Sequence, residues 1–118
     1  MTFDSRTSRE GAYVLVTVTG QPSVHDLITI IRDTGAASVG WSVSAVLVDL
    51  RQVATPYSFT EQLRIGQAVG TNLGHLAKVA AVVPADRITR VGEKAAIHTG
   101  AKVRVFATQA DAVQWFLD

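Results

Sequence analysis

The chain contains no cysteine, which removes disulfide frameworks, thiolate zinc sites, iron–sulfur clusters and thiol catalysis together. It also lacks an excess of charge of one sign. Eleven Lys and Arg face ten Asp and Glu, for a formal charge of +1, and neither sign forms a run. Nucleic acid and anionic membrane surfaces are both held by clustered basic residues, so this scatter argues against either partner. No apolar stretch approaches the ~20 residues that span a bilayer. The start, Thr2-Phe3-Asp4-Ser5-Arg6, is polar and unlike a secretory signal. The expectation is a cytoplasmic protein with no transmembrane segment.

Motifs of known chemistry are missing as well. His25, His75 and His98 lie on three different segments, without the i, i+4 spacing that places two ligands on one metal. There is no Gly-x-Ser-x-Gly elbow for a nucleophile, no phosphate-cradling loop with its lysine, and no Gly-x-Gly-x-x-Gly after a strand. No metal and no cofactor is expected. An enzyme is disfavoured but stays open, because catalytic groups also assemble from distant positions.

What is present is a pattern of apolar periodicity. At 118 residues, with 47% hydrophobic and 18% charged, the chain has material for one core, and residues 1–118 read as a single domain. Residues 2–8 form a weak edge strand that turns at Glu10-Gly11. In the strand from Tyr13 to Thr19, Val14, Val16 and Val18 share one face; the other grows polar toward Thr17 and Thr19, as in a strand covered on one side. Ser23 and Asp26 form a capping box for a helix with Val24, Leu27, Ile28 and Ile31 inward, fading near Gly35 or Gly40. Residues 43–50 are apolar in both parities, the mark of a central strand.

Ser58 and Glu61 open a second helix whose inner stripe is Phe59, Leu63, Gly66, Val69, Leu73 and Leu76. A strand at 78–83 ends at Pro84. Asp86 is placed to cap a third helix with Ile88, Val91, Ala95 and Thr99 inward, and Gly100 to close it. Residues 102–106 form a short edge strand bearing Arg104. A last helix carries Ala110, Val113, Phe116 and Leu117 inward. The fold class is therefore α/β: four β-α units on a mainly parallel sheet, with an antiparallel N-terminal edge strand.

Several residues stand out against this frame. Gly66, Gly70 and Gly74 recur every four residues along one helix, each costing ~1 kcal/mol relative to alanine. They mark either close packing of that helix or a shallow ligand groove. Ser58 is either a plain N-cap or a phosphoacceptor, since a phosphate at a helix start meets free N–H groups and the positive dipole end. Arg51, Arg87 and Arg90 lie near the C-terminal ends of strands, where open α/β sheets gather ligands. With the helix starts at Ser58 and Asp86 they either hold an anion or pair with Asp49 and Asp86. Phe3, Trp41, Tyr57 and Trp115 close the rim of the core or, if two or more share an exposed patch, mark an interface. The half-polar second strand leaves room for another subunit, and a homodimer is expected.

Four segments in order carry a resemblance: Val46-Leu47-Val48-Asp49-Leu50-Arg51, Lys78-Val79-Ala80-Ala81-Val82, Val103-Arg104-Val105-Phe106 and Asp111-Ala112-Val113-Gln114-Trp115-Phe116. Over nearly the whole chain this resembles the STAS-type, SpoIIAA-like family of small bacterial domains. The resemblance implies a sheet with crossover helices and a role in binding rather than catalysis. Its best-known members are anti-sigma-factor antagonists that change partner when a helix-start serine is phosphorylated, in an Asp-Ser-Ser/Thr-Gly type segment. Here Asp49 is followed by Leu50-Arg51-Gln52-Val53-Ala54-Thr55-Pro56-Tyr57, so that segment is absent, and the nearest helix-start hydroxyls are Ser58 and Thr60. The expected function is a non-catalytic regulatory module with an unknown protein partner. The alternative is a carrier or sensor of a small apolar, lipid-like ligand held between the glycine-lined helix and the sheet. An enzyme at the arginine-bearing edge comes third.

Overall fold

The computed structural model describes residues 2–88 and 90–118. Five strands, β1 (Phe3–Arg9), β2 (Val14–Gly20), β3 (Ala45–Val53), β4 (Lys78–Val82) and β5 (Val103–Phe106), form one sheet in the order β1-β2-β3-β4-β5. β1 runs antiparallel to β2, and every other pair is parallel. The connections carry helices α1 (Val24–Ser38), α2 (Phe59–Leu73) and α3 (Val91–Thr99), and α4 (Gln109–Leu117) ends the chain. The expected α/β architecture with its antiparallel edge is the one observed.

Strand parity divides the core in two. Val14, Val16, Val18, Val46, Val48, Val79 and Val103 turn to one face, where Leu27 and Ile31 of α1, Leu73 of α2 and Ala96 of α3 meet them. Tyr13, Leu47, Ala80 and Val82 turn to the other, under Ala112, Val113 and Phe116 of α4. β2 is thus covered on both faces along its first half, not on one as its alternation predicts, because α4 lies over Tyr13 and Leu15. β3 is the doubly covered central strand, extending to Val53.

Helix starts follow their caps. Ser23 and Asp26 exchange hydrogen bonds of 3.0 Å each, and Ser58 and Glu61 do so at 2.9 and 3.2 Å. The third helix departs from expectation. Pro84 is followed by a single 3-10 turn (Ala85–Arg87) and an extended Ile88, so Asp86 caps nothing and α3 begins at Val91. Arg90, at φ +66°, reverses the chain into that helix. Gly100 closes α3 at φ +122°, with its N–H given to Ala96 and Ile97 oxygens.

Four inward assignments are corrected, the first being Thr99, which is exposed in the last turn of α3, where Ala96 is the buried residue. Phe59, in the first turn of α2, is 65% exposed, since that turn projects past the sheet; Leu117 is exposed at the frayed end of α4. Ala110 is exposed too, and the buried residue of α4 is Ala112.

Candidate functional site

α1, α2 and α3 do not close over the sheet completely. Between the sheet and the α2–α3 pair lies a cavity of about 410 Å3, within the size range of small-molecule sites. Its floor is formed by Val48, Ala81 and Val105, and its roof by Ile65 and Val69 of α2 and Ala96 of α3. Ala80 is fully buried, yet its neighbour Ala81, in the middle of the same strand, is only half-buried because it faces this space. The interior is apolar. Polar groups gather at the mouth, where the chain leaves β3 and β4: Tyr57, Asp86, Arg87, Arg90 and Glu93.

Most of these mouth groups are already engaged. Tyr57 donates its hydroxyl hydrogen to the Pro22 oxygen at 2.8 Å, and burial pushes its ionisation up, so it remains a donor. Arg87 donates to the Val53 oxygen at 2.6 Å, tying the 3-10 turn to the end of β3. Arg90 bonds the Glu93 carboxylate at 2.9 Å, which in turn accepts the Val105 N–H at 2.7 Å.

The glycine row is the seat of α3. A Cβ at Gly66 would strike the Gly92 oxygen and come within 2.8 Å of the Ala95 Cβ; one at Gly70 would strike the Thr99 side chain. Gly74, the residue that ends α2, approaches the Gly100 oxygen. Only Gly66 of the three also borders the cavity. Removing side chains there lets the two helices meet backbone to backbone, and the cavity opens beside that contact, toward the sheet.

Of the alternatives open for the arginines, Arg51 takes the pairing one. Asp49 turns to the α4 side between Thr17 and Val82 in the ladders, and Arg51 grips it through Nε at 3.0 Å and Nη2 at 2.8 Å. The side-chain bonds from Arg51, with help from its backbone N–H, hold the Asp49 carboxyl below the ordinary carboxylate range. Arg87 lies across the sheet at the cavity mouth. Ser58 accepts from the Glu61 N–H as a plain N-cap does, and Thr60 is exposed two residues on. The four aromatics do not share a patch. Trp41 and Tyr57 pack on the α1–α3 core, Trp115 of α4 packs with Phe106 of β5, and Phe3 lies on β1.

One pair that the sequence did not suggest is Ser38 Oγ and His75 Nε2, 2.6 Å apart. It resembles a nucleophile and its base, but the hydroxyl hydrogen of Ser38 goes to the Gly35 oxygen at 2.7 Å. That oxygen can only accept, so the imidazole N–H is the donor to Oγ. The pair clasps the C-terminal ends of α1 and α2. Among the described residues no three His, Asp or Glu stand close enough to share a metal ion, and no helix is long and apolar enough to cross a membrane.

Gly66 and Arg87, which the sequence singles out, line the cavity, but its apolar interior is not marked there. Ile65, Val69, Ala81 and Val105 carry the same apolar periodicity as closed core, and only the distance between layers separates the two.

Known proteins place this geometry. The chain matches an anti-sigma factor antagonist from Mycobacterium paratuberculosis at a TM-score of 0.69 and 18% identity, over 99% of this chain and 96% of that one. An uncharacterized DUF3478-family protein with a SpoIIAA-like fold from Shewanella loihica follows at 0.59 and 16%, over 97% and 93%. The anti-sigma factor antagonist SpoIIAA in its unphosphorylated form matches at 0.62 and 12%, over 95% of each chain. No curated protein matches the sequence. The sequence profile described as SpoIIAA-like matches residues 13–117, from the first buried tyrosine to the last turn of α4, and the chain belongs to the SpoIIAA-like family.

Proposed function

We propose that this protein is a non-catalytic regulatory module that acts by binding, and that a small apolar, lipid-like ligand occupies the cavity between the sheet and the α2–α3 pair. The observation that carries this reading is the cavity itself, about 410 Å3 with an apolar interior and polar groups confined to its mouth. Hydrophobic transfer is worth ~25 cal/mol per Å2 of apolar surface removed from water, so a chain-like or ring-like apolar molecule gains most by entering. Polar solutes would lose their hydration against Val48, Ile65 and Val105 with nothing in return.

Native mass spectrometry of gently purified protein is expected to show an added small-molecule mass. In ligand-stripped protein, an apolar fluorescent probe should bind and brighten, and Ala81→Phe, which fills the floor of the cavity, should abolish both signals while the fold is kept. A clean apo mass together with probe binding indifferent to Ala81→Phe would dispose of the reading.

A protein partner is the second part of the proposal. Two of the structurally similar proteins are anti-sigma factor antagonists, which supports a partner protein for this chain. Ser58, with Thr60 beside it, is the site at which phosphorylation would act on such a contact. The Glu61 carboxylate bonded to the Ser58 N–H would have to move away from the phosphate. Replacement of Ser58 by Glu should change partner affinity if that switch operates, and leave it unaltered if Ser58 is a cap alone. The same reading takes the working unit to be two identical chains.

A further inference from the structure

The two edges of the sheet differ. β5 is four residues long, and the outward backbone groups of Val105 are occupied: Glu93 accepts its N–H at 2.7 Å, and Arg90 donates to its oxygen at 3.3 Å. β1 is seven residues long, has β2 as its one strand partner, and is exposed at every position.

Its bonding parity follows from the two ends of the hairpin. The Gln21 N–H donates to the Thr2 oxygen, and the Glu10 N–H to the Tyr13 oxygen, both in the register of the strand pair. In an antiparallel ladder alternate residues bond the same neighbour. Thr2, Asp4, Arg6 and Ser8 therefore turn their backbone groups to β2, while Phe3, Ser5 and Thr7 turn theirs to the open edge. Among the described residues no side chain bonds those outward groups.

We infer that β1 pairs antiparallel with β1 of a second copy of this chain, about a twofold axis at Ser5, making one continuous sheet across both subunits. The inference deepens the pairing of identical chains proposed above and rests on it. Charge and the length of strand paired select the register. With the axis at Ser5, Asp4 faces Arg6 of the other copy and Arg6 faces its Asp4. An axis at Asp4 or at Arg6 would set a charge against its own copy, and an axis at Thr7 would set Asp4 against Glu10. Axes between residues would oppose outward groups to inward ones.

In the Ser5 register the Asp4–Arg6 pairs fall at non-hydrogen-bonded positions, where facing Cα atoms are ~4.5 Å apart and side chains meet most closely. Within one chain Arg6 Nε and Asp4 Oδ2 are already 3.7 Å apart on one face. The two copies would thus align four charges of alternating sign. An edge protected against pairing places like charges together; axes at Phe3 or Ser8 also avoid that here but pair only about five residues, whereas the Ser5 register pairs Thr2–Ser8 and sets opposite charges face to face.

Sedimentation velocity on the full chain over a concentration series, at low salt, tests this. The wild type is expected to dimerise. Arg6→Asp alone and Asp4→Arg alone should each weaken the dimer at least tenfold, since each sets two like-charged pairs face to face. An equimolar mixture of the two variants should recover a dimer, because each then meets the opposite sign. Both positions are exposed, and circular dichroism should show an unchanged fold. In this cysteine-free chain, Ser5→Cys should cross-link two copies on mild oxidation while Thr7→Cys should not. A chain monomeric at every concentration would overturn the pairing altogether, including the case where another protein supplies the strand. A dimer indifferent to both single variants would overturn this edge alone. Neither result bears on the mass of a cavity ligand, which is read separately.

Discussion

One sheet separates two unlike interiors. On the α4 side, one short helix closes the face: Tyr13, Phe116 and Trp115 follow one another with ring centroids 5.2 and 5.8 Å apart, and Leu47, Ala80 and Ala112 are completely buried beside them. On the other side three helices share the cover, yet they leave a cavity. More covering elements do not mean tighter packing. α2 and α3 approach each other so closely at Gly66 and Gly70 that their side chains are spent on one another, and the layer they form stands off the sheet beside that contact. A single amphipathic helix with large aromatics has only the sheet to satisfy, and it settles fully.

The largest difference between the two interiors should come from removing a side chain on each. Leu47→Ala, on the closed side, is expected to cost ~2–5 kcal/mol, because the surrounding aromatics cannot collapse into the void. Val105→Ala, at the cavity, should cost no more than ~1 kcal/mol, since that side chain already borders empty space. Urea titration of both variants decides it; equal losses would erase the distinction drawn here.

Adding volume should keep the same order. Ala80→Leu should destabilise by ~1–3 kcal/mol through overpacking. Ala81→Leu, one residue along the same strand, should lie within ~1 kcal/mol of wild type, and would melt higher if the new side chain fills the cavity. Were both neighbours equally intolerant, the cavity would be too narrow to matter.

Next comes the contact that holds the loose layer off the sheet. Gly66→Ala adds helix propensity worth ~1 kcal/mol but drives a methyl into the Gly92 carbonyl. A net loss of ~1–2 kcal/mol is expected, with increased hydrogen exchange in α3 rather than in α4. Exchange rising equally in both helices would mean that the two sides do not open separately.

The smallest effect belongs to Asp49. Its carboxyl titrates below the ordinary range when folded, because Arg51 bonds the anion. The folded protein therefore binds fewer protons there than the unfolded one, and the contribution is present at neutral pH and lost as pH falls through the lowered value. Asp49→Asn should cost ~1 kcal/mol at pH 7. The gap to wild type should close progressively below about pH 4 in thermal melts. A gap independent of pH would assign the effect to packing.

Local signals in the chain hold where one residue answers to its near neighbours. The Ser23–Asp26 and Ser58–Glu61 boxes start helices at those positions, Gly100 ends one, and the opposed parities of Val46 and Leu47 announced a strand covered twice. Pro84-Ala85-Asp86 looked like a helix start and was not. A 3-10 turn takes that place, Arg90 makes the reversal into α3, and Glu93 in its first turn bonds the β5 edge. Of the two readings open for the arginines, Arg51 takes the pairing one, gripping Asp49, and Arg87 bonds the Val53 oxygen. Of the candidate site, the glycine row was visible. The meaning of that row depended on which element lay against it.

The sequence alone determined the α/β alternation, the caps, the absence of thiol chemistry and the central place of β3, because each follows from spacing along the chain and from residue type. Tertiary structure decided that Gly66 and Gly70 receive α3, that Ala81 looks onto open space while Ala80 is sealed, and that one sheet edge is occupied and the other free. These are distances between elements far apart in sequence, and apolar periodicity is the same whether the facing layer is in contact or several ångströms away.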